Sequence, residues 1–346
     1  MQYTQLGSSG LIVSRLALGG STFSRADSSL GAFYKVGPEL AGEMVAKALD
    51  AGVTYFDSAD AYASGESEEL LGAALKPHRQ SIVLSTKVGN RGAGNRELLH
   101  SGLSRRHILW SVDESLKRLG TDWIDYYVVH RTDPFTPLEE TLEALDTVVR
   151  AGKVRYLGYS NWPAWLAATS IAQQKANNLA KFTHGQMYYS LLGRDVERDT
   201  VAMHQHFGMG MTVWSPLAYG FLAGKYTAED MTRADSRFAN SDWLKFDRAQ
   251  AFALLPLLHE IAAARSCSVA QLAIAWLLRQ RGVDSVLLGA TKTHQLEDNL
   301  GAVDVALTDD DMARLGAATA IQPHYPSSDW VQTDSLVAKR LGEHGK

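Results

Sequence analysis

The sequence of 346 residues predicts an α/β fold, a (β/α)8 TIM barrel with an N-terminal β-hairpin and long loops on its C-terminal face. Short runs of β-branched or aromatic residues alternate with amphipathic helical patterns, and eight such runs follow the first segment. Glycines stand between a helical pattern and the next strand, as at Gly52, Gly152 and Gly282. The crossover rule for parallel strands then favours a closed barrel over an open sheet with two domains. Residues 1–346 are therefore expected to form one domain.

The strands are predicted in chain order from these runs. Tyr3 to Ser14 alternates around Gly7-Ser8-Ser9-Gly10 and indicates a hairpin that plugs the bottom of the barrel. The barrel strands are expected near 15–19, 53–57, 82–87, 124–130, 154–159, 183–187, 211–215 and 284–288.

Two helices carry clear end signals. Ser104 is predicted to cap a helix that runs to Leu119, with Gly120 as its stop. Thr136, Pro137 and Glu139 have the spacing of a capping box for the helix that precedes Gly152.

Two connections, Val88 to Leu103 and Pro216 to about Phe252, are longer than a barrel needs. Both leave the C-terminal ends of strands, where barrels carry function, so they are predicted to be substrate or cofactor loops. The segment 320–346 is a candidate to fold over the mouth of the barrel.

Composition excludes several functional classes. The chain has 34 Lys and Arg against 38 Asp and Glu, a formal charge of −4, and no basic window, which disfavours nucleic acid or anionic lipid as a partner. The longest apolar run, Leu272 to Leu278, is far shorter than the ~20 residues of a membrane span. Arg15 is the first basic residue, so no signal peptide and a cytoplasmic location are expected. The single cysteine, Cys267, is predicted to be buried apolar filler in a helical stretch.

Polar residues at the predicted strand ends suggest acid catalysis. Strands two, three and four end in Asp57, Lys87 and His130. Tyr62 follows Asp57 by five residues, in the loop after strand two. Each alone is more simply a structural residue, but together they would converge in a dry cleft. There Lys87 would stabilise the Tyr62 phenolate and Asp57 would keep the lysine charged. Tyr62 could then protonate a carbonyl oxygen that His130 orients, while a cofactor supplies hydride.

The familiar nucleotide motifs are missing. No G-x-G-x-x-G lies between a strand and a helix, and Gly220 to Lys225 is one residue short of a Walker loop, with Tyr226 in place of its Ser or Thr. A helix that begins near Lys292 could still hold a phosphate. His204-Gln205-His206 is read as a polar helix end, so no metal is predicted.

The order Asp57, Tyr62, Lys87, His130 resembles the catalytic tetrad of the aldo-keto reductases, in the contexts Tyr55 to Tyr62, Ser85-Thr86-Lys87 and Val129-His130. The segment Leu6 to Leu16 is similar to the leading hairpin of that superfamily, nearest its bacterial and potassium-channel-β-subunit-like branch. Ala63 departs from the glycine common after the tyrosine.

The resemblance implies a nicotinamide cofactor, NADPH in preference to NADH, and a carbonyl substrate. It places the carboxamide on Ser160, Asn161 and Gln186, with Trp214 stacked on the ring. The remaining cofactor residues implied are Gly20, Ser21, Thr22, Asp57, Ser215, Pro216, Leu217, Gly224, Lys225, Gly289, Ala290, Thr291, Lys292, Gln295, Asp298 and Asn299. Arg237 is a further candidate for a 2′-phosphate.

The substrate pocket is expected to be lined by Phe23, Tyr62, His130, Trp162 and Tyr189. Such walls favour aromatic aldehydes, whereas Arg91, Arg96 and His100 would favour a phosphate or carboxylate.

Two rival functions remain open. One is a non-catalytic or slow nicotinamide-binding subunit that senses redox state on a larger partner. The other is a barrel glycosidase using Asp57 and Asp60, against which Lys87 and the lack of a carboxylate at another strand end argue. The sequence leaves the substrate, the direction and the oligomeric state open, including a homo-oligomer.

Overall fold

Eight parallel strands close into a barrel in the computed structural model, which describes residues 1–25, 36–90, 99–227, 229–230 and 245–322. Around the barrel each strand pairs with the next in chain order, and the last pairs with the first. The predicted fold and all eight predicted strands are therefore confirmed. The strands are β3 (Leu16–Gly19), β4 (Tyr55–Asp57), β5 (Val83–Val88), β6 (Ile124–Val129), β7 (Val154–Ser160), β8 (Phe182–Tyr188), β9 (Gly210–Trp214) and β10 (Ser285–Leu288).

The predicted hairpin covers the N-terminal end of the barrel. Its strands, β1 (Tyr3–Gln5) and β2 (Ile12–Ser14), pair antiparallel. Leu6 and Val13 are buried in a small cluster with the first inward residues of the barrel, Ala17, Tyr55, Val83 and Leu287. The turn is fixed by the residue that precedes β10, the neighbour of β3, because Asp284 Oδ2 accepts the Gly7 N–H at 3.1 Å.

Ten helices surround the barrel within the described residues. They are α1 (Pro38–Asp50), α2 (Glu66–Leu75), α3 (Arg105–Leu119), α4 (Leu138–Arg150), α5 (Ala164–Ala176), α6 (Thr200–Phe207), α7 (Arg248–Ala264), α8 (Val269–Leu278), α9 (Thr293–Leu300) and α10 (Asp309–Ala318).

The end signals of α3 and α4 have different outcomes. The Ser104 side chain caps α3 by accepting the His107 N–H, and Gly120 ends that helix at φ 62°, as predicted. The capping box at Thr136 is wrong, because no side chain caps α4. Thr136 instead donates its hydroxyl to Asp133, whose carboxylate also accepts the Leu103 N–H.

The long connections are only partly described. In the first, β5 ends at Val88 and residues 91–98, including Arg91 and Arg96, lie outside the described residues. In the second, a short 3-10 segment over Ala218–Ala223 precedes α7, and Arg237 lies outside the described part. Of the segment 320–346, only residues up to 322 are described.

Cys267 lies in the bend between α7 and α8 and not inside a helix, which corrects that part of the prediction. It is half-buried against the main core, and burial raises the pKa of its thiol. Among the described residues no single helix is long and apolar enough to cross a membrane. In the described part of the chain, the pair α7 and α8, which is bent by 88°, is the only one that reaches the required length and composition.

Candidate active site

The four residues of the predicted tetrad meet at the C-terminal mouth of the barrel. Asp57 ends β4, Lys87 lies in β5, His130 directly follows β6, and Tyr62 begins a 3-10 turn over Tyr62–Gly65. The Lys87 Nζ lies 2.5 Å from Asp57 Oδ2 and 4.6 Å from the centre of the Tyr62 ring. The Tyr62 and His130 rings meet edge to face with their centres 5.6 Å apart. The residues that the sequence singled out thus form one cluster.

Charge in this cluster is strongly perturbed by burial. Burial alone would lower the pKa of Lys87, but attraction to Asp57 and Tyr62 and hydrogen bonds to both raise it above its ordinary value. Burial, followed by the nearby charges of Lys87 and Arg131, lowers the pKa of His130 well below its ordinary value. At neutral pH the site therefore holds a charged lysine and a neutral imidazole.

Asp57 is held by more than the lysine. Its Oδ1 accepts the Ser85 hydroxyl at 2.5 Å and the Gln186 side-chain N–H at 2.9 Å. Gln186 was predicted to contact a nicotinamide carboxamide, and that contact stays a prediction. Because its side-chain nitrogen donates a hydrogen bond to Asp57, Gln186 also connects β8 with the tetrad.

The barrel interior below the tetrad is polar. The Tyr126 hydroxyl donates to the His184 carbonyl at 2.9 Å, and His184 Nε2 lies 2.6 Å from Thr212 Oγ1. The Tyr126 side chain can reach from β6 past β7 to β8 only because β7 has Gly158 where the side chain passes. A Cβ at Gly158 would lie 1.5 Å from the Tyr126 hydroxyl oxygen.

The residues predicted to hold the carboxamide and the ring form a second cluster, at the ends of β7, β8 and β9. Asn161 is its centre: its Nδ2 donates to Ser160 Oγ at 2.8 Å, and its Oδ1 accepts the Trp214 indole N–H at 3.2 Å and the Tyr188 backbone N–H at 3.0 Å. Asn161 adopts a φ of 52°, a conformation that asparagine tolerates better than most residues.

The segment after β9 has an irregular backbone. Ser215, Ala218, Tyr219 and Gly220 all have positive φ values. The backbone N–H groups of Ala218, Tyr219 and Gly220 donate within the segment, to the Ser215 carbonyl, Ser215 Oγ and the Leu217 carbonyl, so a contact with a pyrophosphate stays a prediction here. The predicted pyrophosphate residues in this segment are Ser215, Pro216, Leu217, Gly224 and Lys225.

The remaining predicted cofactor residues lie where the first and last strands meet. The Thr22 hydroxyl, in the loop after β3 that also carries Gly20 and Ser21, donates to the Ala290 carbonyl at 3.0 Å. Lys292 is the N-cap residue of α9, as predicted, and Gln295 Oε1 accepts the Thr291 N–H. The others here are Gly289, Asp298, which accepts the Ser268 hydroxyl, and Asn299, which is buried.

Three predicted substrate-pocket residues lie elsewhere. Phe23, Trp162 and Tyr189 belong to the core between barrel and helices, and each is at most 2% exposed. Trp162 packs on Tyr159 and Phe182, and Tyr189 donates its hydroxyl to Glu197. The prediction is therefore wrong for these three, because nearness in sequence to a strand end does not decide which face a side chain occupies.

Several neighbours of the site escaped the sequence analysis. Tyr188 is the last residue of β8, and its ring lies 5.2 Å from that of Trp214. Ser58 and Ser67 are fully buried beside Lys87 and Gly20. His184, Gln186 and Tyr188 are every second residue of β8, so this alternation could have indicated that Tyr188 lies near the site. Nothing in the local sequence pattern indicates the two serines.

The predicted polar helix end, His204-Gln205-His206, lies in the last turn of α6, with its first histidine buried and the other two residues exposed. His204 lies in the last turn of α6 but is buried, with Nε2 2.6 Å from the Tyr159 hydroxyl oxygen. Within the described ranges, no group of three His, Cys, Asp or Glu side chains is arranged to hold a metal ion.

Comparison with known proteins places this site in a family. The model of the Aldo/keto reductase family matches residues 15–320. A protein of Oryza sativa subsp. japonica described as a probable voltage-gated potassium channel subunit beta is 37% identical over 317 residues. One of the same description from Arabidopsis thaliana is 35% identical over 321 residues. Each alignment covers 88% of this chain and 92% of the relative. The chain belongs to the aldo/keto reductase family.

Proposed function

We propose that this protein is an NADPH-dependent oxidoreductase that reduces an aldehyde or ketone to an alcohol, reversibly. The observation that supports it most is the buried Lys87, which contacts both Asp57 and Tyr62 beside a neutral His130. A hydride transfer to a carbonyl carbon needs a proton donor at the oxygen, and this cluster supplies one.

The residues divide the proton transfer between them. Tyr62 gives its phenolic proton to the carbonyl oxygen, and the Lys87 ammonium stabilises the phenolate left behind. Asp57 keeps the lysine charged and fixes its position. His130, as a neutral imidazole, can donate one N–H to the carbonyl oxygen without adding a second positive charge next to Lys87. The nicotinamide supplies the hydride.

The cluster at Asn161 fits the nicotinamide end of such a cofactor. Ser160, Asn161 and Gln186 would hold the carboxamide, Trp214 would stack on the ring, and the positive-φ segment would embrace the pyrophosphate. Gly20, Ser21 and Thr22 would form the floor beneath the ribose, and the start of α9 would hold the adenosine end.

The test of the acid is Tyr62→Phe, which removes one oxygen. We expect kcat to fall by at least ~100-fold while NADPH affinity is retained. Tyr156→Phe, in the lower half of β7, is the matched control and should leave kcat unchanged. A near-normal rate in Tyr62→Phe with a good substrate would refute the assignment.

The preference for NADPH rests on Lys292 at the start of α9, with Arg237 as a second candidate outside the described residues. Titration of NADPH and NADH against tryptophan fluorescence should show tighter binding of NADPH. Lys292→Met should weaken NADPH binding and leave NADH unaffected. Equal affinities of the native protein for both would remove the phosphate site.

For the substrate we propose an aromatic aldehyde. Among the described residues at the mouth, Tyr62, His130, Tyr188 and Trp214 offer ring surface, whereas Phe23, Trp162 and Tyr189 lie in the core. His100 is stacked on Trp110 at 4.1 Å. Comparing kcat/KM for a nitrobenzaldehyde, a short aliphatic aldehyde and a phosphorylated aldose tests this. The proposal of an aromatic aldehyde would be contradicted if the phosphorylated aldose had the highest kcat/KM and lost this advantage in the double variant Arg91→Ala with Arg96→Ala.

The names of the relatives support a second candidate. Both are described as probable voltage-gated potassium channel subunits, so this chain could act as a slow or non-catalytic redox-sensing subunit on a larger partner. Tight retention of NADPH together with slow turnover of every carbonyl tested would favour it. A cytoplasmic location is part of both proposals, and both allow a homo-oligomer.

A further inference from the structure

A closed ring of hydrogen bonds surrounds the inner side of the tetrad. The Gly20 N–H donates to the Asp57 carbonyl at 2.8 Å, and the Ser67 hydroxyl donates to the Gly20 carbonyl at 2.7 Å. Because Ser67 uses its only hydrogen there, the Ser58 hydroxyl must donate to Ser67 Oγ, 2.8 Å away. The Lys87 ammonium closes the ring by donating to the Ser58 carbonyl at 2.7 Å and to Asp57 Oδ2.

This ring sets the direction of the lysine. An ammonium group has three N–H bonds. Asp57 and the Ser58 carbonyl take two, and the third is left for the Tyr62 hydroxyl, the other hydrogen-bond partner that raises the pKa of Lys87. A shift of the Ser58 carbonyl therefore turns the ammonium away from Tyr62.

The ring excludes water and leaves little room for adjustment. Ser58, Ser67 and Lys87 are fully buried, and Asp57 is 3% exposed. A Cβ at Gly20 would lie 2.8 Å from Ser67 Oγ and 3.4 Å from the Asp57 carbonyl oxygen, so a glycine is needed for the approach. Because a buried hydroxyl without a partner is unfavourable, the hydroxyl groups of Ser58 and Ser67 are held in this arrangement.

The start of α2 holds the loop after β3 at further points. Glu66 Oε2 accepts the Ser24 hydroxyl and the Arg25 N–H, both at 2.8 Å. The turn that carries Tyr62 leads directly into the same end of α2. One helix end thus contacts the floor loop, Gly20 to Thr22, through Ser67 and directly follows the turn that carries the acid.

We infer that Ser67 is a positioning residue that couples the floor loop to Lys87 and, through it, to the acid Tyr62. The inference rests on the proposed function, because the proposed function assigns the floor loop to the cofactor. Its consequence is that cofactor binding at the floor loop and orientation of the lysine are linked through one hydroxyl.

The primary test needs neither cofactor nor turnover. Ultraviolet titration of the protein, taken as the difference between a variant and the same variant carrying Tyr62→Phe, reports the Tyr62 phenol alone. Ser67→Ala should raise its titration midpoint by about one pH unit, because a turned Lys87 stabilises the phenolate less. Ser67→Cys, which has the same shape with a slightly larger atom and is a weak donor, should shift it in the same direction.

The matched control is Ser170→Ala, which removes another buried helical serine whose hydroxyl donates to the Leu166 carbonyl. It should lower stability comparably and leave the Tyr62 midpoint unchanged. In the active protein, Ser67→Ala should also reduce kcat by about 10- to 100-fold, as small misplacements of catalytic groups do. It should weaken NADPH binding about fivefold, the equivalent of one hydrogen bond.

The outcomes separate the two proposals. An unchanged Tyr62 midpoint in both Ser67 variants overturns the coupling, whatever the enzyme reduces. A shifted midpoint in a protein that reduces no carbonyl supports the coupling and refutes the proposed function.

Discussion

Replacing Ala63 by glycine should stabilise the protein, although most substitutions to glycine destabilise. Ala63 directly follows Tyr62 and adopts φ 47° and ψ 39°, and Ser64 and Gly65 after it also have positive φ. Alanine in this left-handed region costs about 1–2 kcal/mol because its Cβ approaches the next carbonyl oxygen. Glycine avoids that cost.

The expected gain in the free energy of unfolding is smaller than the strain energy that Ala63→Gly removes. Glycine also gives the unfolded chain more freedom, which costs about 0.4–1 kcal/mol. The net effect of Ala63→Gly is therefore a gain of about 0.5–1 kcal/mol in the free energy of unfolding. For a chain of 346 residues this corresponds to a rise in Tm of about 1 °C.

Urea unfolding followed by fluorescence, supported by calorimetry, measures a change of this size when the variants are compared side by side. Ala61→Gly is the matched control, because Ala61 lies two residues earlier at φ −86°. It should lose about 0.5–1 kcal/mol. If both variants are destabilised equally, the left-handed conformation of Ala63 carries no strain and the reasoning is refuted.

Two further predictions concern buried polar groups. Burial, and then repulsion from Glu68, raise the pKa of Asp60 to about 8, so the folded state binds a proton that the unfolded state releases near pH 4. The contribution of Asp60 to the free energy of unfolding should fall as the pH rises from 4 to 8 and stay constant above that. Urea titrations at a series of pH values should show a weaker pH dependence in Asp60→Asn. A pH dependence that is the same in the variant and the native protein would contradict the raised pKa. Gly158→Ala should cost about 3 kcal/mol or more, because its Cβ meets the Tyr126 hydroxyl. Adding Tyr126→Phe should restore part of the loss in the same unfolding assay, and no restoration would place the clash elsewhere.

The sequence predicted the barrel well because strand length, alternation and glycine stops are local signals. Asp57, Lys87 and His130 could be found because parallel strands bring their C-terminal ends to one face. The choice of Tyr189 for the pocket failed because this side chain is buried and donates to Glu197, whereas its neighbour Tyr188, the last residue of β8, contacts Trp214.

Features that depend on distant partners could not be predicted. The capping box at Thr136 failed because Asp133 competes for the hydroxyl. Ser67 joins residues from two other loops, and its pattern in the sequence is that of any serine in the first turn of a helix. Such contacts become visible only when the barrel is closed.

The hydrogen bond between Gly7 and Asp284 has a consequence for synthesis on the ribosome. The two residues are 277 positions apart, so the hairpin emerges long before the strand that fixes it. At about 5–20 residues per second, the first turn waits roughly 14–55 s for its partner. During that interval the apolar side chains of Leu6 and Val13 cannot pack against the complete N-terminal end of the barrel. Nascent chains arrested before β10 should therefore bind chaperones that recognise apolar segments, and chains released just after it should not.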